Sequence, residues 1–257
     1  MALVGSVDFD VLVGISYVGI FTVFPLLLFY GWQRGLLDFS WKWNHWLANK
    51  KEGVLAVLPQ LIIVVVYQAD RYLVQYFGNQ VELSSYFTAQ ALYMVILFGV
   101  QAVFSVCSPR VSNVALVGEG DIRSEGRILI YVFLGLSVCL VPLSYTFIDL
   151  LGVDKAITIG ALLIFVGGGI LASLFGAGFL CLQYCKNKNY YLLIVLFGCV
   201  LQYAIVLSLY SVLGVFAAAI GLATYTLATS LLGCLFWQRR GVKVLPFYKI
   251  YRASWLS

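Results

Sequence analysis

GVLAVLPQLIIVVVYQADRYLVQYFGN, residues 53–79, begins with fourteen residues that carry no charge and then places Asp70 beside Arg71. A helix rises about 1.5 Å per residue, so about 17–25 apolar residues cross the hydrocarbon layer of a bilayer. Residues 53–69 reach the lower end of that range and are predicted to form a transmembrane helix. Asp70 and Arg71 then lie at the end of this helix. Their position needs an explanation, because a charged side chain within the hydrocarbon layer is energetically unfavourable.

The composition shows that this apolar run is typical of the whole chain. Of the 257 residues, 62% are hydrophobic and 11% are charged, whereas soluble domains average about 45–50% apolar and 25% charged residues. The sequence therefore predicts a polytopic membrane protein. Its six cysteines form no CxxC pair and it has one histidine, so neither a metal site nor a disulfide framework is expected, and no cofactor is predicted.

Seven apolar runs are candidate transmembrane helices. They do not alternate in polarity as the strands of a membrane barrel do, so an all-α fold is predicted. The runs cover residues 10–32, 53–69, 86–108, 128–150, 156–181, 190–210 and 212–236. The predicted domains are a first helix in residues 1–32, an amphipathic cytoplasmic linker in 33–52, a six-helix bundle in 53–238 and a basic cytoplasmic tail in 239–257.

The basic residues predict the orientation of these spans. Of the 16 Lys and Arg residues, all but Arg71 and Lys155 fall in the loops of one side. Because Lys and Arg near span ends are retained in the cytoplasm, the N-terminus is predicted to lie outside and the C-terminus inside. The linker combines apolar residues at helical spacing with lysines elsewhere on the wheel, which is typical of a helix that lies on membrane lipids.

Polar side chains within the apolar runs are candidates for a substrate path. Gln60, Gln101 and Gln202 each carry an amide that must find a partner helix or a hydrated cavity, because an unpaired amide in hydrocarbon costs several kcal/mol. Gln60 directly follows Pro59, which removes a backbone donor and favours a bend. Interhelical hydrogen bonding is an alternative interpretation of all three. Small residues spaced four apart in residues 165–178 predict close helix packing.

The chain resembles the polysaccharide flippases of the multidrug/oligosaccharidyl-lipid/polysaccharide exporter superfamily, and O-antigen exporters in particular. The resembling motif is an Asp-Arg pair, a short outer loop, a Tyr-x-x-Ala that opens the next helix and a Pro at that helix's inner end. The residues that fill it are Asp70, Arg71, Tyr86, Ala89 and Pro109. Ser84 stands where the family usually has glycine. A tight outer turn at Gly214, an alanine run at residues 217–219 and a short KNKN loop are similar as well.

This resemblance implies a transporter of the bacterial inner membrane that flips lipid-linked oligosaccharide repeat units by alternating access and is not an enzyme. Family members resemble two six-helix bundles, so residues 1–32 resemble the last helix of a missing first bundle. The expected partners are the lipid-linked oligosaccharide, membrane lipids, and either a first bundle or a second copy of the chain; no nucleic acid is expected. The predicted substrate path contains Gln60, Gln101, Asp70 and Arg71.

Other interpretations stay open at the sequence level. Asp70 and Arg71 are also explained as a pair that ends a helix and anchors it at the lipid headgroups. The chain also fits a small-molecule or drug exporter of the same superfamily, a membrane-embedded glycan enzyme, or an inactive fragment. An enzyme is disfavoured because the longest loop, about 20 residues, is the length of an ordinary connection, and ion coupling is disfavoured because the predicted spans hold almost no charge.

Overall fold

The computed structural model describes Gln33 and residues 43–117, 120–184 and 188–246. The chain divides into two compact units, residues 1–50 and 51–257. The predicted first span, residues 10–32, lies outside the described residues, as do residues 34–42 of the predicted linker. Residues 43–52 of that linker belong to a helix that continues to Phe77. The packing below is that of residues 51–246.

Six long helices account for most of the described residues. They are α1 (Trp43–Phe77), α2 (Gln80–Val117), α3 (Arg123–Leu151), α4 (Lys155–Ser173), α6 (Lys188–Leu213) and α7 (Val215–Gln238). A short helix, α5 (Gly178–Cys181), and a 3-10 turn (Leu182–Tyr184) lie between α4 and α6. Each long helix contains a segment long and apolar enough to cross a membrane. The prediction of an all-α polytopic membrane protein is confirmed, and every predicted span from residue 53 onward overlaps one of these helices.

Three predicted spans end about two turns away from the C-terminal ends of the helices that they overlap. α1 continues to Phe77 and α2 to Val117, so Asp70 lies inside a helix instead of ending one. The predicted span 156–181 is wrong at its end, because α4 stops at Ser173 and a turn precedes α5. Gly176 in that turn has a φ of +69°, a left-handed conformation that glycine adopts without the steric cost of a side chain.

Short connections reverse the chain at the end of the bundle where α1, α3 and α6 stop. Between α1 and α2, the Asn79 side chain accepts a hydrogen bond from the Glu82 amide (2.9 Å), and the Glu82 carboxyl accepts one from the Asn79 amide (3.2 Å). This reciprocal capping fixes the start of α2. Between α6 and α7, the one-residue connection is Gly214, which has a φ of +55°. The tight outer turn expected at Gly214 is thus present, whereas Ser211, which separates the predicted spans 190–210 and 212–236, lies inside α6.

α4 lies at the centre of the bundle, where it packs against α2, α3 and α7. The Tyr93 ring of α2 stacks on Phe165 of α4, with their centroids 5.3 Å apart. Small residues bring α4 close to α7: a Cβ added at Gly168 would lie 2.5 Å from the Cβ of Ala223. The close packing predicted for residues 165–178 is therefore confirmed at this contact.

The segment after α7 folds back onto the other end of the bundle, which we call the basic end. Strand β1 (Gly120–Asp121) pairs in parallel with β2 (Val242–Lys243). Val242 and Val244 are buried, and Arg127 Nε donates a hydrogen bond to the Pro246 carbonyl (2.8 Å). We call residues 242–246 the C-terminal clasp. This part of the predicted basic tail is therefore packed against the bundle.

Candidate functional site

Asp70 lies two turns inside α1, counted from Phe77, and is fully buried. Its carboxyl accepts a hydrogen bond from the Tyr86 hydroxyl of α2 (3.2 Å) and another from the Gln202 side-chain amide of α6. One carboxyl thus connects three helices inside the apolar layer. The headgroup-anchor interpretation of Asp70 is wrong, because an anchoring side chain would be exposed at the end of its helix.

Arg71 forms its own set of contacts, and it makes no ion pair with Asp70 among those found in the described residues. Its Nε donates to Gln90 Oε1 (2.6 Å), and its guanidinium lies over the Phe87 ring, 3.8 Å from the centroid. Gln90 is fully buried, and its amide donates to the Tyr67 carbonyl (3.0 Å). Asp70 and Arg71, although adjacent in sequence, therefore belong to two separate sets of hydrogen bonds. The Asp70 set joins α1 to α2 and α6, and the Arg71 set joins α1 to α2.

The two glutamines predicted to line a common path lie in different surroundings. Gln60 donates to the Tyr191 hydroxyl of α6 (3.1 Å), so it forms an interhelical hydrogen bond of the kind that the packing interpretation expected. Gln101 lines a cavity that Gln60 does not reach. Gln202 is buried against Asp70, and its side-chain oxygen has no hydrogen-bond partner among the described residues.

The cavity lies between α1, α2, α3, α4 and α7 and has a volume of about 360 Å³. It begins beside Tyr67, the central residue of the Val57–Phe77 span, and reaches Gly176 near the basic end. Gly176 also contacts the C-terminal clasp, since a Cβ added at Gly176 would lie 2.7 Å from the Val244 carbonyl oxygen. Its polar lining residues are Tyr67, Tyr93, Gln101, Ser173, Tyr225, Thr226, Thr229 and Ser230.

Two threonine hydroxyls of the cavity donate within their own helix: Thr226 to the Leu222 carbonyl (3.0 Å) and Thr229 to the Tyr225 carbonyl (2.8 Å). The Thr226 side chain also interacts with the Tyr67 hydroxyl across the cavity wall. Tyr225 is 2% exposed, and its hydroxyl has no partner among the described residues. No charged side chain lines the cavity in the described part of the chain.

The chain matches no protein-family model, no curated protein and no solved structure. Its function must therefore be inferred from its own residues and their geometry. Among the described residues, that geometry includes an uncharged cavity between the membrane-spanning helices, lined by tyrosine rings, hydroxyls and one amide. Such a set of groups can bind a polar ligand by hydrogen bonds and by contact with aromatic faces.

Most of the residues that line this cavity were missed from the sequence. Gln101 was predicted because an amide in an apolar run is conspicuous, whereas Tyr67, Tyr93 and Tyr225 do not stand out among 17 tyrosines. One sequence pattern in α7 does predict part of the lining. Its hydroxyl residues are spaced so that they share one face of the helix: Tyr225, Thr226, Thr229 and Ser230. Hydroxyl side chains at that spacing inside an apolar run predict a polar face directed at other helices.

Charged residues at the basic end pair with one another. Arg110 contacts Glu125 (2.9 Å), and Arg123 contacts Asp121 (2.5 Å) beside β1. The hydrogen bonds from Arg123 lower the pKa of the Asp121 carboxyl to about 2. Within the described residues no group of three or more His, Cys, Asp and Glu side chains could hold a metal ion. The two ion pairs join α2 and β1 to the start of α3, next to the point where β1 pairs with β2 of the C-terminal clasp.

Proposed function

We propose that this chain is one bundle of a membrane transporter that flips lipid-linked oligosaccharide repeat units across the bacterial inner membrane by alternating access. The observation that carries the proposal is the cavity of about 360 Å³ between the helices. A sugar that leaves water must regain its hydrogen bonds, because unpaired hydroxyls cost several kcal/mol in an apolar layer. The tyrosine, threonine and glutamine side chains of the cavity can supply them.

The residues that carry the resemblance to polysaccharide flippases support the same function. Asp70 and Tyr86 come from separate parts of the resembling motif, and their side chains form a hydrogen bond (3.2 Å). Ala89, one turn after Tyr86, is fully buried. The motif residues therefore fix how α1 and α2 meet, beside the cavity wall that begins at Tyr67.

Transport is favoured over glycan chemistry by the side chains around the cavity. General acid–base catalysis most often uses a His, carboxyl, Lys, Tyr or Cys side chain positioned against the substrate. Among the described residues, tyrosine is the one of these types that lines the cavity, and the Asp70 carboxyl is occupied by Tyr86 and Gln202. A cavity with hydroxyls and an amide but no carboxyl, His, Lys or Cys suits binding and release better than proton transfer.

We propose further that this bundle works against a second one. Alternating access requires two bodies that rock about a shared site near the middle of the membrane. Gln101 is exposed on α2 although its helix is apolar, and it lines the cavity. A facing bundle would enclose that amide, and the second bundle is either a different polypeptide segment or a second copy of this chain.

The test is export in a bacterial cell that lacks its own repeat-unit flippase. The chain is expressed together with a first bundle from a related flippase, and surface polysaccharide is measured. We expect export to be restored, and Gln101→Leu to reduce it by about tenfold, as the loss of one hydrogen bond of about 1.4 kcal/mol would.

Gln75→Leu is the matched control, because Gln75 is exposed on α1 and does not line the cavity. Both variants must accumulate in the membrane at the wild-type level. Normal export by Gln101→Leu would remove the cavity from the transport path. Failure of the wild-type chain to restore export in any pairing, although it is inserted, would contradict the proposed function.

A further inference from the structure

We propose that Arg71 is the centre of a binding site for the phosphate group of a membrane lipid, at the end of the bundle opposite the basic end. The site does not depend on the transport function, because a phospholipid and a phosphate-bearing lipid substrate both carry this group. Three observations support it: an arginine without a counter-charge, the contacts that fix its guanidinium, and the exposed apolar surface beside it.

The charge of Arg71 has no ion-pair partner among the described residues, where the ion pairs lie elsewhere in the bundle. The neighbouring Asp70 carboxyl is fully buried and accepts its hydrogen bonds from Tyr86 and Gln202. Arg71 belongs to the apolar span that ends at Phe77, about 9 Å from that residue along the helix axis. A cation at this depth is unfavourable without an anion nearby, so the position favours an anionic ligand.

The guanidinium of Arg71 is held in place by three side chains. Its Nε donates to Gln90 (2.6 Å), one Nη donates to Gln68 (3.1 Å), and its plane lies over the Phe87 ring, 3.8 Å from the centroid. These hydrogen bonds use two of its five N–H groups, so the others remain for a ligand. The planar guanidinium matches the oxygens of a phosphate in a bidentate arrangement. A side chain that is already fixed loses less conformational entropy when the ligand binds.

The site is accessible from the lipid side of the bundle. Arg71 is partly exposed, and the Phe87 ring beneath it is 39% exposed. From this ring an exposed face of α2 continues toward the basic end at intervals of about one helical turn, through Ala91, Val95 and Phe98. A ligand with a phosphate at Arg71 and an apolar chain along this face would match both the charge and the surface.

The experiment measures lipid binding to the full-length chain, which is purified and freed of native lipid in dodecyl maltoside, a detergent without phosphate. Native mass spectrometry counts the bound lipids at each lipid concentration. Two pairs of probes differ only in the phosphate: dioleoyl phosphatidic acid with dioleoylglycerol, and a polyprenyl phosphate with its polyprenol. We expect one saturable site at which a phosphate-bearing probe binds at least tenfold more tightly than its partner. The pair that shows this preference identifies the source of the phosphate.

Arg71→Gln should weaken the binding of the preferred phosphate lipid by about tenfold to a hundredfold, because it removes charge-assisted hydrogen bonds. Arg240→Gln is the matched control. The Arg240 guanidinium also lies over an aromatic ring, that of Phe236, at 4.5 Å from the centroid, but it is at the basic end. This control variant should bind the same lipid within about twofold of the wild type.

A second variant separates ligand binding from the role of Arg71 in joining α1 to α2. Gln68→Glu keeps the shape of the side chain that Arg71 contacts and gives the guanidinium an internal counter-charge. It should leave the unfolding temperature unchanged or raised, and should weaken binding of the phosphate lipid by at least tenfold. Gln80→Glu places the same charge at an exposed position at the start of α2, and should bind as the wild type does.

Three results would overturn the proposal. The first is that neither phosphate-bearing probe binds more tightly than its phosphate-free partner. The second is an equal loss of affinity in Arg71→Gln and Arg240→Gln, which would indicate general attraction to basic residues. The third is a Gln68→Glu variant that binds the phosphate lipid as well as Gln80→Glu does, which would leave Arg71 only its structural contacts.

Discussion

Replacing Gln202 with leucine should loosen the bundle at Asp70. The Gln202 amide and the Tyr86 hydroxyl are the two donors to this fully buried carboxyl, so Gln202→Leu leaves it with one. Interhelical hydrogen bonds in membrane proteins contribute about 0.6 kcal/mol on average and up to about 1.7. Because the buried Asp70 carboxyl also loses one of its two hydrogen-bond donors, we expect Gln202→Leu to lower the free energy of unfolding by about 1–2 kcal/mol, near the upper end of that range.

The loss is measured by SDS-induced unfolding in mixed micelles. Gln75→Leu is the matched control, since it makes the same substitution at an exposed position of α1. A double-mutant cycle with Asp70→Ala should give a coupling free energy of about 0.6–1.7 kcal/mol between the two side chains. A coupling near zero, or a Gln202→Leu variant as stable as Gln75→Leu, would refute the three-helix connection through Asp70.

Three further outcomes are expected. In a variant without native cysteines, a cysteine at Asn79 should react with an impermeant maleimide added outside and one at Lys188 should not; the reverse would overturn the predicted orientation. Gly178→Ala should lower the free energy of unfolding by about 1–3 kcal/mol, because the added Cβ would lie 2.7 Å from the Cys234 backbone nitrogen. Gly135→Ala is the control: its Cβ would meet no atom within 4 Å, so the substitution should be neutral or slightly stabilising. The lowered pKa of Asp121, about 2, means that its contribution to stability is complete above the unfolded value of about 3.9 and is lost as the pH falls through about 2. The protection factors of the amides in the C-terminal clasp, which are exchange rates corrected for intrinsic exchange at each pH, should therefore be the same at pH 7 and pH 5, and lower protection at pH 5 would contradict that.

The helices could be predicted from the sequence because each one is determined by the length of its own run of apolar residues. The runs at residues 128–150 and 190–210 lie wholly inside α3 and α6, since any segment of that length and polarity must satisfy its backbone internally to cross a bilayer. The break after Ser173 could not be predicted in the same way. The apolar run continues through it, and only the conformation of Gly176 shows the turn.

The candidate site was only partly predictable because it depends on which helices meet. Asp70 was conspicuous as a charge beside an apolar run, but its burial depends on Tyr86 and on Gln202, which lies 132 residues away. Gln60 and Gln101 look equivalent in sequence. Their different roles arise because Tyr191 lies opposite Gln60, whereas the cavity lies opposite Gln101.

The most direct test of the transport function is translocation in proteoliposomes. A lipid-linked oligosaccharide labelled on its sugar is placed in the membrane with the purified chain and a second bundle, and its accessibility to an impermeant quencher is followed over time. The proposed function predicts that the label crosses the membrane faster than in liposomes without protein, and that the oligosaccharide is recovered chemically unchanged. It also predicts that Gln101→Leu slows the crossing, because Gln101 lines the cavity. Crossing no faster than in empty liposomes, with the chain folded and inserted, or recovery of a cleaved or extended oligosaccharide, would contradict it.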